Sequence, residues 1–219
     1  MLVSETSFLT SKQGPHAPAW AVVFGANTGG PQALAQVLPQ FQASFPASII
    51  VAQQMRPGFT RVLVDHLQQL CKLPVLEPED GQALLASRIV IAPTGTKLTI
   101  ANVGDSIVPA YSVMLEDIGD NLELSRARVD ATMTSAAQVF GPSSIGVLLT
   151  GLGADGREGM RAIRNAGGVT MAQDQDTSAV HSLPASAIDA GVVHEILPLW
   201  SVADRIIALV GGQALAVAA

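Results

Sequence analysis

Three polar residues stand where chemistry could be done: Asn27, Gln54 and Asp155, each within a few residues of the end of an apolar run. The first lies in W-A-V-V-F-G-A-N-T-G-G-P-Q-A-L, residues 20–34, which predicts a buried strand, a glycine-rich turn and the first turn of a helix. Gly25, Gly29 and Gly30 permit a tight turn, and Pro31 with its fixed φ suits the first helical position. Asn27 is then at the apex. In hydrolases built on a strand, a sharp turn and a helix, that apex holds a serine nucleophile in a strained backbone conformation with its oxygen exposed. Here the apex carries no hydroxyl. Asn tolerates φ > 0, so the turn is expected to keep its geometry while the nucleophile is missing.

The elements that would position these residues can be read in order. On the first helix Leu34, Val37, Leu38 and Phe41 give one apolar face, with Pro39 and Pro46 marking the exit. Residues 48–52 read as a second buried strand that ends in a loop carrying Gln54. Thr60 is placed as the N-cap of a helix with Leu63, Leu67 and Leu70 on one side. Residues 74–77, 88–92 and 97–101 read as short strands, the last two joined as a hairpin at Thr94 and Gly95, with a turn over 102–105. A helix is expected over 129–140. I-G-V-L-L-T, residues 145–150, is the most convincing central strand, and it runs straight into Gly151-Leu152-Gly153-Ala154-Asp155-Gly156. A helix over 157–166, stopped by Gly167 and Gly168, leads to a strand over 169–172. A helix over 184–190, a strand over 192–196 and a helix over 198–210 follow. This alternation predicts an α/β fold: a three-layer, doubly wound, mainly parallel sheet with an antiparallel hairpin element. In such a sheet the strand C-termini line one edge, where ligands collect, and the loops bearing Asn27, Gln54 and Asp155 all leave that edge. Asp155 also reads as an N-cap for the helix at Arg157.

Composition bounds the function. With 219 residues, 48% hydrophobic and 14% charged, the chain suits one large domain with a well-buried core. A net charge of −6 and 4% aromatic residues supply neither a basic stripe nor a stacking platform, which excludes a nucleic-acid partner. Cys71 is the only cysteine, so neither an internal disulfide nor a cysteine-based metal site can form. It reads as a small buried hydrophobe. No signal-peptide pattern opens the chain and no apolar run is of bilayer length, so a soluble, cytoplasmic protein without membrane insertion is expected. Residues 1–19 are expected to be a flexible leader, 20–210 the domain, and 211–219 a tail. The dinucleotide fingerprint G-x-G-x-x-G with an acid after the second strand is missing, which argues against an ordinary Rossmann-like domain. No cofactor and no metal are expected. Of the histidines, His16 falls in the leader, His66 in mid-helix and His194 in a strand. His181 reads as a satisfied surface residue between the 174–178 loop and Pro184.

Taken together, G-A-N-T-G-G-P-Q-A-L, A-Q-Q-M-R-P-G-F-T, R-I-V-I-A-P, G-V-L-L-T-G-L-G-A-D-G and M-A-Q-D-Q-D-T-S-A-V-H-S-L-P-A-S-A-I resemble the catalytic domain of chemotaxis protein-glutamate methylesterases, the CheB type. The similarity covers nearly the whole chain after Trp20, in the family's order and spacing. It implies a serine-hydrolase scaffold with a Ser-His-Asp triad that removes methyl esters from glutamates on chemoreceptor helices. Carried over by position, the family's serine is Asn27, its histidine is Gln54 and its aspartate is Asp155, so two of the three are changed. The resemblance also implies an oxyanion hole of backbone N–H groups near Asn27 and Leu152, with Thr28, Gly29, Met55, Arg56, Leu152 and His181 as oxyanion-hole and binding residues. Where relatives tend to carry His-x-Pro-Ser-Val-Asp, this chain has S-R-A-R-V-D at 125–130. Substrate positioning is therefore altered as well.

These departures shape the expected function. A carboxamide at Asn27 cannot act as a deprotonated nucleophile, and the amide of Gln54 can hydrogen-bond but cannot accept a proton near pH 7. The reading is a methylesterase-like domain of a bacterial chemosensory system, catalytically impaired, that acts by binding chemoreceptor helices or other chemosensory proteins. The alternative is an active protein-glutamate methylesterase or serine-type hydrolase with a rearranged site, built from Thr28 with His181 or His66 and Asp155. Members of the family commonly carry an N-terminal phosphorylated receiver domain. None is read in this sequence, so a separate receiver domain, or a longer parent chain, would be needed for control by phosphorylation.

Overall fold

A strand covered on both faces must be apolar at nearly every position, and β1 (Trp20–Ala26) is buried throughout. Trp20, Val22, Phe24 and Ala26 enter one core, and Ala21 and Val23 the other. The computed structural model describes residues 16–56, 58–105, 108–119 and 128–217. After β1 the strands are β2 (Ala47–Gln53), β3 (Val75–Leu76), β4 (Arg88–Ile91), β5 (Thr96–Asn102), β6 (Tyr111–Asp117), β7 (Ser144–Leu148), β8 (Val169–Gln173) and β9 (Glu195–Leu197). Among the described residues, seven of them form one parallel sheet in the order β3-β4-β2-β1-β7-β8-β9.

The helices are α1 (Gly30–Val37), α2 (Thr60–Leu70), α3 (Arg128–Phe140), α4 (Arg157–Asn165), α5 (Ser182–Asp189) and α6 (Leu199–Val217). Leu34 and Val37 of α1, Leu63 and Leu67 of α2, and Val202 and Ile206 of α6 pack with Phe24, Ile49 and Val51 on one face. Val129 and Met133 of α3, Met160 and Ile163 of α4, and Leu183 and Ala187 of α5 pack with Ala21, Val23 and Ile50 on the other. The result is the three-layer doubly wound arrangement. The chain adds β2, β4 and β3 on one side of β1, then β7, β8 and β9 on the other, so the topological switch point lies between β1 and β7. Ligand crevices form at such a point.

The antiparallel element is present but lies elsewhere than its sequence suggested. β4 does not turn back on β5: it runs parallel between β2 and β3, because Ile89, Val90 and Ile91 are all buried, which suits a strand inside the sheet. β5 pairs instead with β6, from Thr96 opposite Asp117 to Asn102 opposite Tyr111, as a separate two-stranded ribbon. Its Leu98 and Ile100 point inward while Thr99 is only half-buried, the alternation of a strand with one covered face. That face is fastened to α3. Thr132 Oγ1 donates to the Leu98 carbonyl at 2.7 Å, and the Ile100 N–H donates to Ser135 Oγ at 3.0 Å.

Other local expectations shift. Phe59, not Thr60, is the N-cap of α2, and the Thr60 hydroxyl instead accepts the Thr94 N–H at 3.0 Å, joining the loops after β2 and β4. Val64 completes the buried face of α2, while Leu70 is exposed. His194 lies just before β9 rather than in it, and its Nδ1 accepts the Thr170 N–H. The last helix does not stop at Val210 but continues through Gly211 and Gly212 to Val217. Of the leader, residues 1–15 lie outside the described residues. His16 is described, and its carbonyl accepts the Ala86 N–H at 3.0 Å. The altered residues 125–127 also lie outside. No helix among the described residues is long and apolar enough to cross a membrane.

The seating of α3 on β1 generates a stability prediction. A Cβ added at Gly25 would sit 2.4 Å from Val129 Cγ1 and 2.8 Å from Leu148 Cδ2, whereas nothing lies within 4 Å of one added at Gly212. Gly25→Ala is expected to lower unfolding stability by about 1–3 kcal/mol through overpacking. Gly212→Ala is expected to be neutral or to stabilise by up to ~1 kcal/mol through helix propensity. Urea midpoints of the two variants check this, and equal effects would contradict the seating of α3.

Candidate functional site

Loops that leave neighbouring parallel strands are brought together by the ladder itself. The Asn27 N–H donates to the Thr150 carbonyl at 3.1 Å and the Gln54 N–H to the Ala26 carbonyl at 2.9 Å, which extends the β1 pairings past the ends of the strands. The backbone of Asn27 does not adopt the left-handed conformation allowed for it. Among the described residues, Ser87 is the non-glycine with positive φ, and the reversal after β1 is taken up by Gly29 at φ 81°, the N-cap of α1. Gly29 can do this at no steric cost, so the apex residue is left unstrained.

The side chains of Asn27, Gln54 and Asp155 meet in one chain of hydrogen bonds. Asn27 Nδ2 donates to the Leu152 carbonyl and to Gln54 Oε1, both at 3.0 Å, and Gln54 Nε2 donates to Asp155 Oδ2 at 2.7 Å. The polarity of this chain is fixed from both ends. The Leu152 carbonyl and the Asp155 carboxylate can only accept, so the amide nitrogens must point toward them.

Asp155 does more than receive Gln54. Its Oδ2 accepts the Val129 N–H at 3.0 Å and its Oδ1 the Asp130 N–H at 2.9 Å, so it caps α3 rather than α4, the helix that follows it in sequence. Asp130 returns the interaction. Its Oδ1 accepts the N–H groups of Gly156 at 2.9 Å and Gly159 at 2.7 Å, at the start of α4. Amide donors at the start of α3 are thus satisfied by a carboxylate from the loop before α4, and those at the start of α4 by a carboxylate of α3, in both cases at the end where the helix dipole favours negative charge.

Burial sets the electrostatics. Asp155 is 8% exposed, and desolvation pushes its carboxyl up to about 6, opposed by the amide donors of Val129 and Asp130 and by Gln54, and reinforced by the charge of Asp130. Asp130 is raised too, chiefly by burial, against the N–H groups of Gly159, Gly156 and Glu158. Arg128 is 4% exposed, and its Nε donates to the Thr96 carbonyl at 2.6 Å and its Nη2 to the Pro93 carbonyl. Burial lowers the pKa of this guanidinium, and attraction to Asp155 opposes the fall.

A crevice of about 580 Å³ opens over this chain, lined by Asn27, Gln54, Asp130, Leu152, Gly153, Ala154 and Asp155. The Asn27 N–H is committed to Thr150, so it is not an oxyanion-hole donor. The N–H groups of Thr28, Gly29 and Leu152 have no acceptor among the described residues. Thr28 is exposed, and its carbonyl accepts from Thr150 Oγ1 at 3.0 Å. Met55 and Arg56 line a neighbouring apolar groove of about 380 Å³ with Pro31, Phe59, Val62, Leu63 and the exposed His66. His181 is the half-buried N-cap residue of α5. Its Nδ1 has no hydrogen-bond partner among the described residues, unlike the satisfied surface histidine expected of it, and it does not line the crevice. Among the described residues, no three His, Cys, Asp or Glu side chains converge to hold a metal ion.

Several supporting residues were not singled out from sequence. Gln53 Nε2 donates to the carbonyls of Asn27 at 2.9 Å and Gln54 at 2.7 Å. Gln173 Oε1 accepts the Thr150 N–H at 2.7 Å while its Nε2 donates to the Thr177 carbonyl at 2.8 Å. Both glutamines are buried at the last position of an apolar strand. A long amide closing such a strand was the signal available, because a buried amide must find partners nearby.

The family described as CheB methylesterase matches residues 22–206. A protein-glutamate methylesterase/protein-glutamine glutaminase of Carboxydothermus hydrogenoformans is 41% identical over 187 residues, 85% of this chain and 54% of that protein. One of Anaeromyxobacter dehalogenans is 42% identical over 178 residues, 81% of this chain and 50% of that protein. The crystal structure of the Thermotoga maritima CheB methylesterase catalytic domain superposes with a TM-score of 0.81 at 33% identity, covering 87% of this chain and 98% of that one. This chain spans about half the length of the curated relatives it matches.

The carboxyl of Asp155 gives a pH dependence. Its pKa is about 6 in the folded protein against 3.8 for a free carboxyl, so the folded state binds the proton more tightly. That contribution is complete below about pH 4 and is lost as pH rises through 6, costing up to about 3 kcal/mol for a shift of this size. The stability of the wild type relative to Asp155→Asn is therefore expected to fall between pH 4 and pH 7, read from urea midpoints at constant ionic strength. A difference that grows with pH would mean that the three donors, not burial, govern this group.

Proposed function

The chain belongs to the CheB methylesterase family, and from that premise we propose that it is a methylesterase-fold domain of a chemosensory system that binds its protein ligand without hydrolysing it. The observation that carries this is the chain Asn27 to Gln54 to Asp155. A serine donating to a histidine that donates to an aspartate has the same sense, donor to acceptor twice over, and moves a proton because imidazole can hold one. The carboxamide of Gln54 fills the same two hydrogen-bonding roles and cannot become protonated near neutral pH. Asn27 offers no nucleophile. In a serine hydrolase the loss of the serine or the histidine alone costs roughly 10⁶ in kcat, and losing both costs little more.

The partners that fit this reading are the cytoplasmic helices of chemoreceptors or other chemosensory proteins, presented to the crevice and to the apolar groove beside it. Two observations weigh against a rearranged active site. The oxygens of Asp155 already accept from Gln54, Val129 and Asp130, and His66 lies in the neighbouring groove.

Methanol release from methylated chemoreceptor membranes, with an active relative as control, tests the loss of activity. Asn27→Ser and Gln54→His singly are expected to stay at background on an activated ester. The double variant is expected to rise at least about 10²-fold, since the groups act as a unit. Wild-type hydrolysis equal to that of the double variant would establish a different nucleophile and overturn the reading.

A further inference from the structure

We infer that the apolar groove between α1 and α2 is a docking site for an amphipathic α-helix of another protein, one whose apolar stripe is flanked by carboxylates. The inference rests on the binding role proposed above and adds to it how a partner is gripped outside the crevice. It follows from the two faces of α2. Leu63, Val64 and Leu67 face the core. Phe59, Val62 and His66 follow one another at the spacing i, i+3, i+7 along a different face, Leu70 extends it, and all four are exposed. Steps of three and four residues keep side chains in line along a helix and make the seam against which a second helix packs. A face meant for solvent would carry charged or polar groups at these positions.

The seam has a second wall. Pro31 lines the groove of about 380 Å³ together with Phe59 and Val62, and a hollow of about 430 Å³ beside it, lined by Gln32 and Ala35 of α1, shares Pro31 and His66 with that groove. The two run on as one trough, and a trough between two helices takes a third. A bilayer suits it less, because lipid is met by a projecting apolar face ringed with cations and this face is concave. The charge of the lining selects the partner's flank. Among the described residues that lining contains Arg56 and His66 and no carboxylate, in a chain of net charge −6. Arg56 forms no ion pair among the described residues, and Asp65, the acid of α2, is held by Arg61 at 3.1 Å. A carboxylate on the docked helix therefore meets an unpaired guanidinium, whereas a lysine meets repulsion. A second copy of this chain would bring another Arg56, not a carboxylate.

The test titrates peptides into the ¹⁵N-labelled full chain at pH 7 and follows the amide signals of α2. Each peptide is acetylated, amidated and about 18 residues long, enough to form a helix. The first is alanine-based, with leucine at i, i+3, i+7 and i+10 and glutamate on both flanks of that stripe. The second has lysine for every glutamate, and the third has the composition of the first in an order that breaks the stripe. The acidic striped peptide is expected to shift these signals and to bind about fivefold more tightly than the lysine one at low salt. The scrambled peptide is expected to bind at least about tenfold more weakly than the acidic striped one, and Val62→Glu and Phe59→Ser are each expected to weaken the latter by as much. Both positions are exposed and serine is a favoured N-cap, so these variants keep the fold. Arg56→Glu is expected to reverse the order of the acidic and lysine peptides. Equal binding of the three peptides, or binding of none, overturns the inference. So do α2 signals that move with protein concentration alone, which make the occupant a second copy, and binding that appears only when residues 1–15 are deleted, which makes it the leader. A stronger response to phosphatidylglycerol vesicles than to the acidic peptide overturns it as well. The peptides carry no ester, so their failure sinks the docking site alone, while methanol release from methylated receptor membranes sinks the non-hydrolytic reading alone.

Discussion

One buried carboxylate, Asp155, and one half-buried one, Asp130, tie α3 and α4 together and hold this site in place. Asp155, from the loop after β7, accepts the first amides of α3, and Asp130, from the first turn of α3, accepts those of α4. The N-cap position of α4 is Gly156, which makes no side-chain cap, so Asp130 supplies what that position lacks. The orientation of Gln54, and through it Asn27, therefore depends on a group whose first structural duty is to close a helix. That gives Asp155 a structural role that needs no proton transfer.

Much of the fold could be read from local pattern. The apolar runs of β1, β2 and β7, the helical face of Leu34, Val37, Leu38 and Phe41, and the glycine stops after α4 and α5 depend on near neighbours, and their places were visible. What was misplaced depended on partners distant in sequence. Thr94-Gly95 has turn chemistry whichever strands it separates, and nothing local shows that β4 pairs with β2 while β5 waits for β6. Thr60 looks like a cap until Thr94 is placed beside it. Asp155 looks like a cap for the helix two residues on, and which helix it caps is decided by the crossing of α3 and α4.

The candidate site divides along the same line. Asn27, Gln54 and Asp155 were marked by their positions after strands, and the three are joined in space. The shell that holds them was not visible. Gln53 and Gln173 are polar residues at strand ends whose partners are backbone carbonyls, hydroxyls and amides of other loops. Arg128 is a buried cation held by the carbonyls of Pro93 and Thr96, a role that charge patterning alone does not suggest.

The shared polarity of the Asn27–Gln54–Asp155 chain bears on ancestry. Every asparagine codon lies one base from a serine codon, and every glutamine codon one base from a histidine codon. A serine next to Gln54 would still donate to its oxygen, and a histidine next to Asn27 would still accept from its amide while donating to Asp155. Either single change keeps the link between positions 27 and 54 and leaves the helices capped, with the Leu152 carbonyl giving up its donor where serine, which has one hydrogen, stands at 27. The side-chain chain at this crevice can therefore change its members one base at a time while the two capped helices that carry it stay where they are.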